Sequence, residues 1–188
     1  MTQVIKATDL KAAGMSRYVI DLRCRPGGPW QRILPGVLLL SAGPPTRAQR
    51  VRAALAYAGP DAVLTGVDAL REQGFHDLPL PPRVHVLQPA GRRKTGDHHL
   101  LLERTTRLPS PVVKDGLPLA PPVRAVLDAA RHESRPQRQH TMITAVVGAG
   151  TCSVAMLLRE LDAGSKRGAA TPRSALRRLA RNHQAAFT

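Results

Sequence analysis

ATDLKAAGMSRYVIDLRCRPGGPWQRILPGVLLL, residues 7–40, holds the pattern that decides the N-terminal architecture. Thr8 is an N-cap residue type, and Asp9, Leu10, Lys11, Ala12 and Ala13 behind it suit a short helix. Gly14 predicts a tight turn, and Ser16 caps a second helix running from Arg17 to about Arg25. Two short helices about a glycine-containing turn are the core of a helix-turn-helix. Pro26-Gly27-Gly28-Pro29 then breaks the chain. Trp30–Leu34 and Gly36–Ser41 read as the strands of a wing hairpin, with Pro35 at an edge or bulge because it has no N–H to give a ladder. The expectation is a winged helix-turn-helix over residues 1–43.

Beyond the Gly43-Pro44-Pro45 linker, Thr46 caps a helix whose apolar residues Val51, Ala54, Leu55 and Ala58 share one face. A second helix is expected from about Pro60, with Val63, Leu64, Val67 and Leu70 inward, ending near Gly74. Arg83–Leu87 alternates as a strand, Leu100–Leu108 suits another, and Val112–Leu119 suits a third about a Gly116 turn. From Pro121 the chain turns helical: one helix to about Glu133, a polar loop over Ser134–Gln139, and a helix around Met142–Val147. Thr151 is placed to cap a further helix to Asp162. Thr171 and Pro172 make an N-cap and N1 pair for a last helix, to about His183. The expected class is α/β (α+β), with an α/β middle domain over 46–163 and a basic helical tail over 164–188.

Of the 188 residues, 28 are Lys or Arg and 13 are Asp or Glu, a net charge of +15. Residues 1–60 carry nine basic and two acidic side chains, and residues 164–188 carry six basic and no acidic ones. The long middle stretch has thirteen against eleven. Codon bias would spread the excess evenly, so its place at both ends points to a polyanionic partner, double-stranded DNA first. Aromatics make up 3% of the chain, too few for single-strand binding by base stacking. The hydrophobic fraction of 43% supplies a real core. No run of residues suits a signal peptide or a membrane span, so a cytoplasmic, nucleoid-associated protein is expected.

The DNA-facing set expected on the second helix is Ser16, Arg17, Tyr18, Asp21 and Arg25, three of them on one helical face, with Val19, Ile20 and Leu22 turned to the core. Arginine pairs bidentately with guanine, and helix-start N–H groups and Tyr suit phosphates. Gln31 and Arg32 on the wing would reach backbone or minor groove. On the tail, Arg173, Arg177 and Arg181 recur at helical spacing beside Arg178. That helix is either a second phosphate grip or a segment packing Leu176 and Leu179 on the body. Arg92-Arg93-Lys94 reads as a solvated turn.

Cys24 and Cys152 lie far apart and match no metal or redox spacing. His98-His99 would point to opposite faces of a strand, His85 reads as a strand residue, and His132, His140 and His183 read as polar surface, so no metal or cofactor is expected. Asp61, Asp68, Asp77 and Asp128 fall on expected helix ends or loops without paired spacing, and Val147-Gly148-Ala149-Gly150 lacks the strand-turn-helix setting of a nucleotide loop. A non-enzyme is expected.

Gly14-Met15-Ser16-Arg17 followed by GPWQRILPGVLLL resembles the AbiEi family of bacterial antitoxins and transcriptional regulators. The likeness runs on through AGPDAVLTGVDALREQGF (58–75), RVHVLQP (83–89), ERTTRLP (103–109) and DGLPLAPPVRAVLDAAR (115–131). It implies a winged-helix regulator that represses its own operon, partnered by a nucleotidyltransferase-like toxin and able to form a homodimer. Two features depart from the family: the helix expected ahead of Val4–Ala13 is missing, and the sequence stops where longer relatives append a very-short-patch-repair-like endonuclease. The helix-turn-helix would then be completed by another element or by a partner subunit. The competing reading is a protein-protein interaction module whose charge serves solubility.

Overall fold

Ser16 closes the first turn of its helix: its hydroxyl accepts a hydrogen bond from the Val19 N–H at 3.3 Å. The computed structural model describes residues 3–185, with side chains described to Arg181, and shows a mixed α/β fold. The side chain of His183 and the last residues of the expected tail lie outside the described residues. The chain opens with β1 (Val4–Lys6), which the sequence pattern does not announce, and passes straight into α1 (Ala7–Ala12). Lys6, still extended, holds the N-cap position, so Thr8 sits inside the helix rather than capping it. Gly14, at φ 88°, turns the chain into α2 (Arg17–Arg23). That helix stops two residues short of Arg25, because the chain folds back over its C-terminus and the Trp30 N–H bonds the Arg23 carbonyl at 3.1 Å. Gly28 makes the return possible, since a Cβ there would collide with the Arg23 carbonyl oxygen.

The hairpin follows as β2 (Gln31–Leu34) and β3 (Val37–Leu39). Pro35 lies in the turn with Gly36 at φ 73°, and the register shifts between Arg32 and Leu34, so the proline never enters the ladder. β1 pairs antiparallel with β3, giving the order β1-β3-β2. Leu10, Ile20 and Leu38 form the centre of this module, with Ile5, Met15 and Trp30 against them. Ile20 therefore faces the core as expected, Val19 is half-buried, and Leu22 is 43% exposed instead of inward.

α3 (Arg47–Ala58) opens with a full capping box: the Thr46 hydroxyl accepts from the Gln49 N–H, and the Gln49 side chain accepts from the Thr46 N–H. It packs on all three strands of the small sheet and on the strand Val84–Pro89 of a larger one. α3 thus packs against both sheets, across the expected boundary near residue 45.

The larger sheet holds β4 (Val63–Leu64), β5 (Val84–Pro89), β6 (Leu100–Thr105), β7 (Val112–Lys114) and β8 (Leu117–Leu119) in the order β6-β5-β4-β8-β7. β5 and β6 run parallel, as do β4 and β8; the other neighbours are antiparallel. Val63 and Leu64 are therefore strand and not the expected helix. α4 (Gly66–Glu72) starts only after Thr65, with Gly66 at φ 66° breaking the run. Asp115 and Gly116, both at positive φ, form the β7–β8 turn, so the expected third strand is a hairpin.

Four helices complete the chain: α5 (Pro122–His132), α6 (Pro136–Gly148), α7 (Val154–Ala163) and α8 (Ala170–Ala185). α6 begins inside the segment expected as a polar loop, and α7 is capped by Ser153, whose hydroxyl accepts from Met156 N–H at 3.2 Å, not by Thr151. α8 starts at Ala170, so Thr171 and Pro172 fall in its first turn. Its Ala175, Leu176 and Leu179 are buried among the same core residues as Leu157 and Leu161 of α7. The basic tail is part of the middle domain's packing.

Candidate nucleic-acid interface

Arg17, the first residue of α2, and Arg32, on β2, converge on Asp21. Arg17 Nε lies 3.5 Å from one carboxylate oxygen, and the Arg32 guanidinium pairs with the other. With Lys11 of α1 they border an open cleft of about 470 Å³ between the two helices and the hairpin turn. All three partners of the ion cluster are substantially exposed, so the pairing costs little to break when a stronger anion approaches. Tyr18 is 75% exposed on the same helix. Arg17, Asp21 and Arg32 of the expected set thus form one cluster, while Ser16 and Tyr18 are exposed at the start of the same helix.

Two members of that set stand elsewhere. Arg25 is off the helix, in the exposed turn after it, and so does not share a helical face with Arg17 and Asp21. Gln31 spends its amide on the fold: Nε2 donates to the carbonyls of Ser41 at 2.8 Å and Gly43 at 2.6 Å, tying the hairpin to the linker. A residue that sequence reasoning passes over, Arg23, lies over the Trp30 ring at 4.6 Å, a cation–π contact that fixes the chain reversal.

The tail arginines divide in the same way. Arg173 is paired with Asp162 at 2.6 Å, while Arg177, Arg178 and Arg181 are exposed on α8, which packs on α5, α6 and α7. In the loop after β5, Arg92 pairs with Asp61 at 3.1 Å and Lys94 lies over the Tyr57 ring at 4.9 Å, so the cluster is partly anchored to the body.

The middle domain's carboxylates are mostly neutralised by arginine. Asp68 takes a bidentate bond from Arg47, with both contacts at 2.7 Å. Asp128, fully buried in the middle of α5, accepts from Arg124 Nε at 2.9 Å and from the Thr65 hydroxyl at 2.8 Å, with Arg131 at 3.6 Å. Glu160 takes both forks of Arg107 at 2.7 Å. Asp68 therefore lies in the first turn of α4, at a helix end as expected, whereas Asp128 is in the middle of α5 and not at an end; both are buried.

Glu103 differs. Its Oε2 lies 3.1 Å from Nε2 of His85 and 3.0 Å from Nε2 of His132. The two hydrogen-bonded imidazoles, His132 first, hold its carboxyl well below the usual carboxylate range, against the opposing effect of burial. His85 is buried on β5, and His132 is the last residue of α5, half-exposed; the rings meet edge to face with centroids 4.9 Å apart. Sequence separations of 18 and 29 residues hide this group from any spacing rule. His98 and His99, by contrast, precede β6 in a loop and stack at 4.0 Å instead of pointing apart on a strand.

No family model matches the chain, and no curated protein matches it. Among solved structures it is similar to a crystal structure of the RV2827C protein from Mycobacterium tuberculosis. The two share 18% identity at a TM-score of 0.60, over 92% of this chain and 71% of that one. That likeness is one of fold. No helix among the described residues is long and apolar enough to cross a membrane.

Proposed function

We propose that the N-terminal module is a winged helix-turn-helix and the chain a regulator that binds double-stranded DNA with a sequence preference. The order β1-α1-α2-β2-β3, with β1 added to the far side of β3, supports the module; α2 is its recognition helix and β2–β3 its wing. The observation that carries the reading is the exposed cluster of Arg17 and Arg32 about Asp21, set in the part of the chain where basic residues outnumber acidic ones nine to two. Arg17, at the N-terminal end of α2, is positioned as recognition-helix residues that read base edges are. Arg32 on the hairpin takes phosphate. The bonding of buried carboxylates to arginine supports a non-enzymatic regulator, since a nuclease would hold its metal with such carboxylates.

The sequence resemblance carries the narrower part of this proposal. The chain acts in the cytoplasm as an AbiEi-type antitoxin, represses its own operon as a homodimer, and answers a nucleotidyltransferase-like toxin. The test is fluorescence anisotropy with duplex from upstream of its own gene against scrambled duplex. Arg17→Ala should cost about 1–3 kcal/mol on the preferred duplex and much less on the scrambled one. Arg32→Ala should weaken both alike. Unchanged affinity in both variants would remove the interface from α2 and the hairpin.

Exposure of Tyr18 and Leu22, one turn apart on α2, favours a second reading, a protein-docking face. Co-purification of a neighbouring gene's product in the absence of DNA, abolished by Tyr18→Ala, would select it.

A further inference from the structure

We propose that His85, Glu103 and His132 form a binding site for a divalent transition-metal ion, zinc foremost, in the middle domain. The reading is independent of the DNA-binding proposal and uses none of its residues.

Three elements bring the donors together. In the parallel β5–β6 ladder His85 pairs with Leu101, so Glu103 is the diagonal neighbour on the same face. His132 arrives from the end of α5. Both imidazoles direct Nε2 at one carboxylate oxygen, and the donor atoms of all three residues lie within 4.8 Å of one another. With metal–nitrogen and metal–oxygen bonds of about 2.0–2.2 Å, the edges of a tetrahedral site are about 3.4 Å. The observed 3.0 and 3.1 Å edges need only a few tenths of an ångström of opening to admit the ion.

Charge points the same way. Asp68, Asp128 and Glu160 each meet an arginine, whereas the ion pairs of Glu103 among the described residues are with these two imidazoles. No arginine or lysine pairs with Glu103 among the described residues, and a divalent ion held between it and the two imidazoles would supply positive charge there. On binding, each ring presents its Nε2 lone pair to the metal, and any proton that Nε2 shares with Glu103 moves to Nδ1 or to solvent. Two nitrogens and one oxygen suit zinc and its neighbours, and a single carboxylate is a poor site for Ca²⁺ or Mg²⁺.

The site has an entrance and a shaped wall. His85 and His132 line a pocket of about 290 Å³, with Arg83, Arg135 and Arg138 among its other residues. Water or a small anion from that pocket would supply a fourth ligand. Gly66 backs His85: a Cβ at this position, where φ is 66°, would lie 3.4 Å from Nδ1.

The experiment is calorimetric titration of Zn²⁺ alone into the full chain after chelator treatment. One equivalent should bind. His132→Gln, at a half-exposed residue whose replacement should leave the circular dichroism spectrum unchanged, should weaken binding at least about tenfold, and Glu103→Gln should do the same. The His98→Gln/His99→Gln double variant should bind as the parent does. Co²⁺ in place of zinc should give visible ligand-field absorption that His132→Gln abolishes. Failure of the parent to bind one equivalent overturns the site, as does binding that survives both His132→Gln and Glu103→Gln or that disappears with His98 and His99.

Discussion

Asp128 is the most enclosed carboxylate among the described residues, at 0% exposure, and Arg124, Arg131 and Thr65 surround it. Desolvating an ion pair offsets much of its Coulombic gain, so the network's net contribution is modest, but removing one partner strands the rest. Asp128→Ala should therefore cost about 3–5 kcal/mol in urea unfolding, by taking from the buried Arg124 guanidinium its closest carboxylate and leaving only Glu160, at 3.8 Å. Replacing Arg124 and Asp128 together by leucine and alanine should recover most of that loss. A loss under about 1 kcal/mol in the single variant would mean that water reaches the site. The sequence shows Arg124 and Asp128 four apart on a helix, yet the expectation set Asp128 among acids on helix ends or loops without paired spacing. Its burial is decided by Thr65 and α4, which pack across it from 63 residues away in the chain, and no local pattern reports that.

At the scale of elements, the legible parts are those with their own local chemistry. Ser16 and Thr46 cap α2 and α3 as expected, and Gly14 and Gly116 turn the chain as expected. β4 is not legible: Val63 and Leu64 fit either a helix or a buried strand, and a two-residue apolar run has no period to separate them. β1 is nearly as short, and exists because β3 has an edge for it. On α2, Asp21 is expected beside Arg17 in the DNA-facing set, and in the proposed interface it acts as a brake. It occupies Arg17 and Arg32 and adds negative charge where phosphate would come. Asp21→Ala should raise affinity for any duplex by roughly fivefold, about 1 kcal/mol, measured by anisotropy at low salt. Its stability should shift by no more than about 0.5 kcal/mol, as for other exposed substitutions. Weaker binding would show instead that Asp21 orients Arg17 for base readout.

Across the whole molecule the charge excess at the two ends is visible in the sequence, but not how each end is held. α3 lies against both sheets, and α8 buries Leu176 and Leu179 beside α7, so neither basic end is a loose arm. Packing and charge are then separable on opposite faces of α8. Leu176→Ala should cost about 2–4 kcal/mol of stability by opening a cavity, and leave the affinity of the folded protein for DNA unchanged. Changing Arg177, Arg178 and Arg181 to alanine should do the reverse. These three side chains are exposed, so unfolding should be unaffected, while each phosphate no longer neutralised should flatten the slope of log K against log [salt] by about 0.9. The fall in affinity should be equal for the upstream and scrambled duplexes, since phosphate contacts carry no sequence information. An unchanged slope would mean that α8 shows its arginines only to solvent, and that all binding comes from α2 and the hairpin.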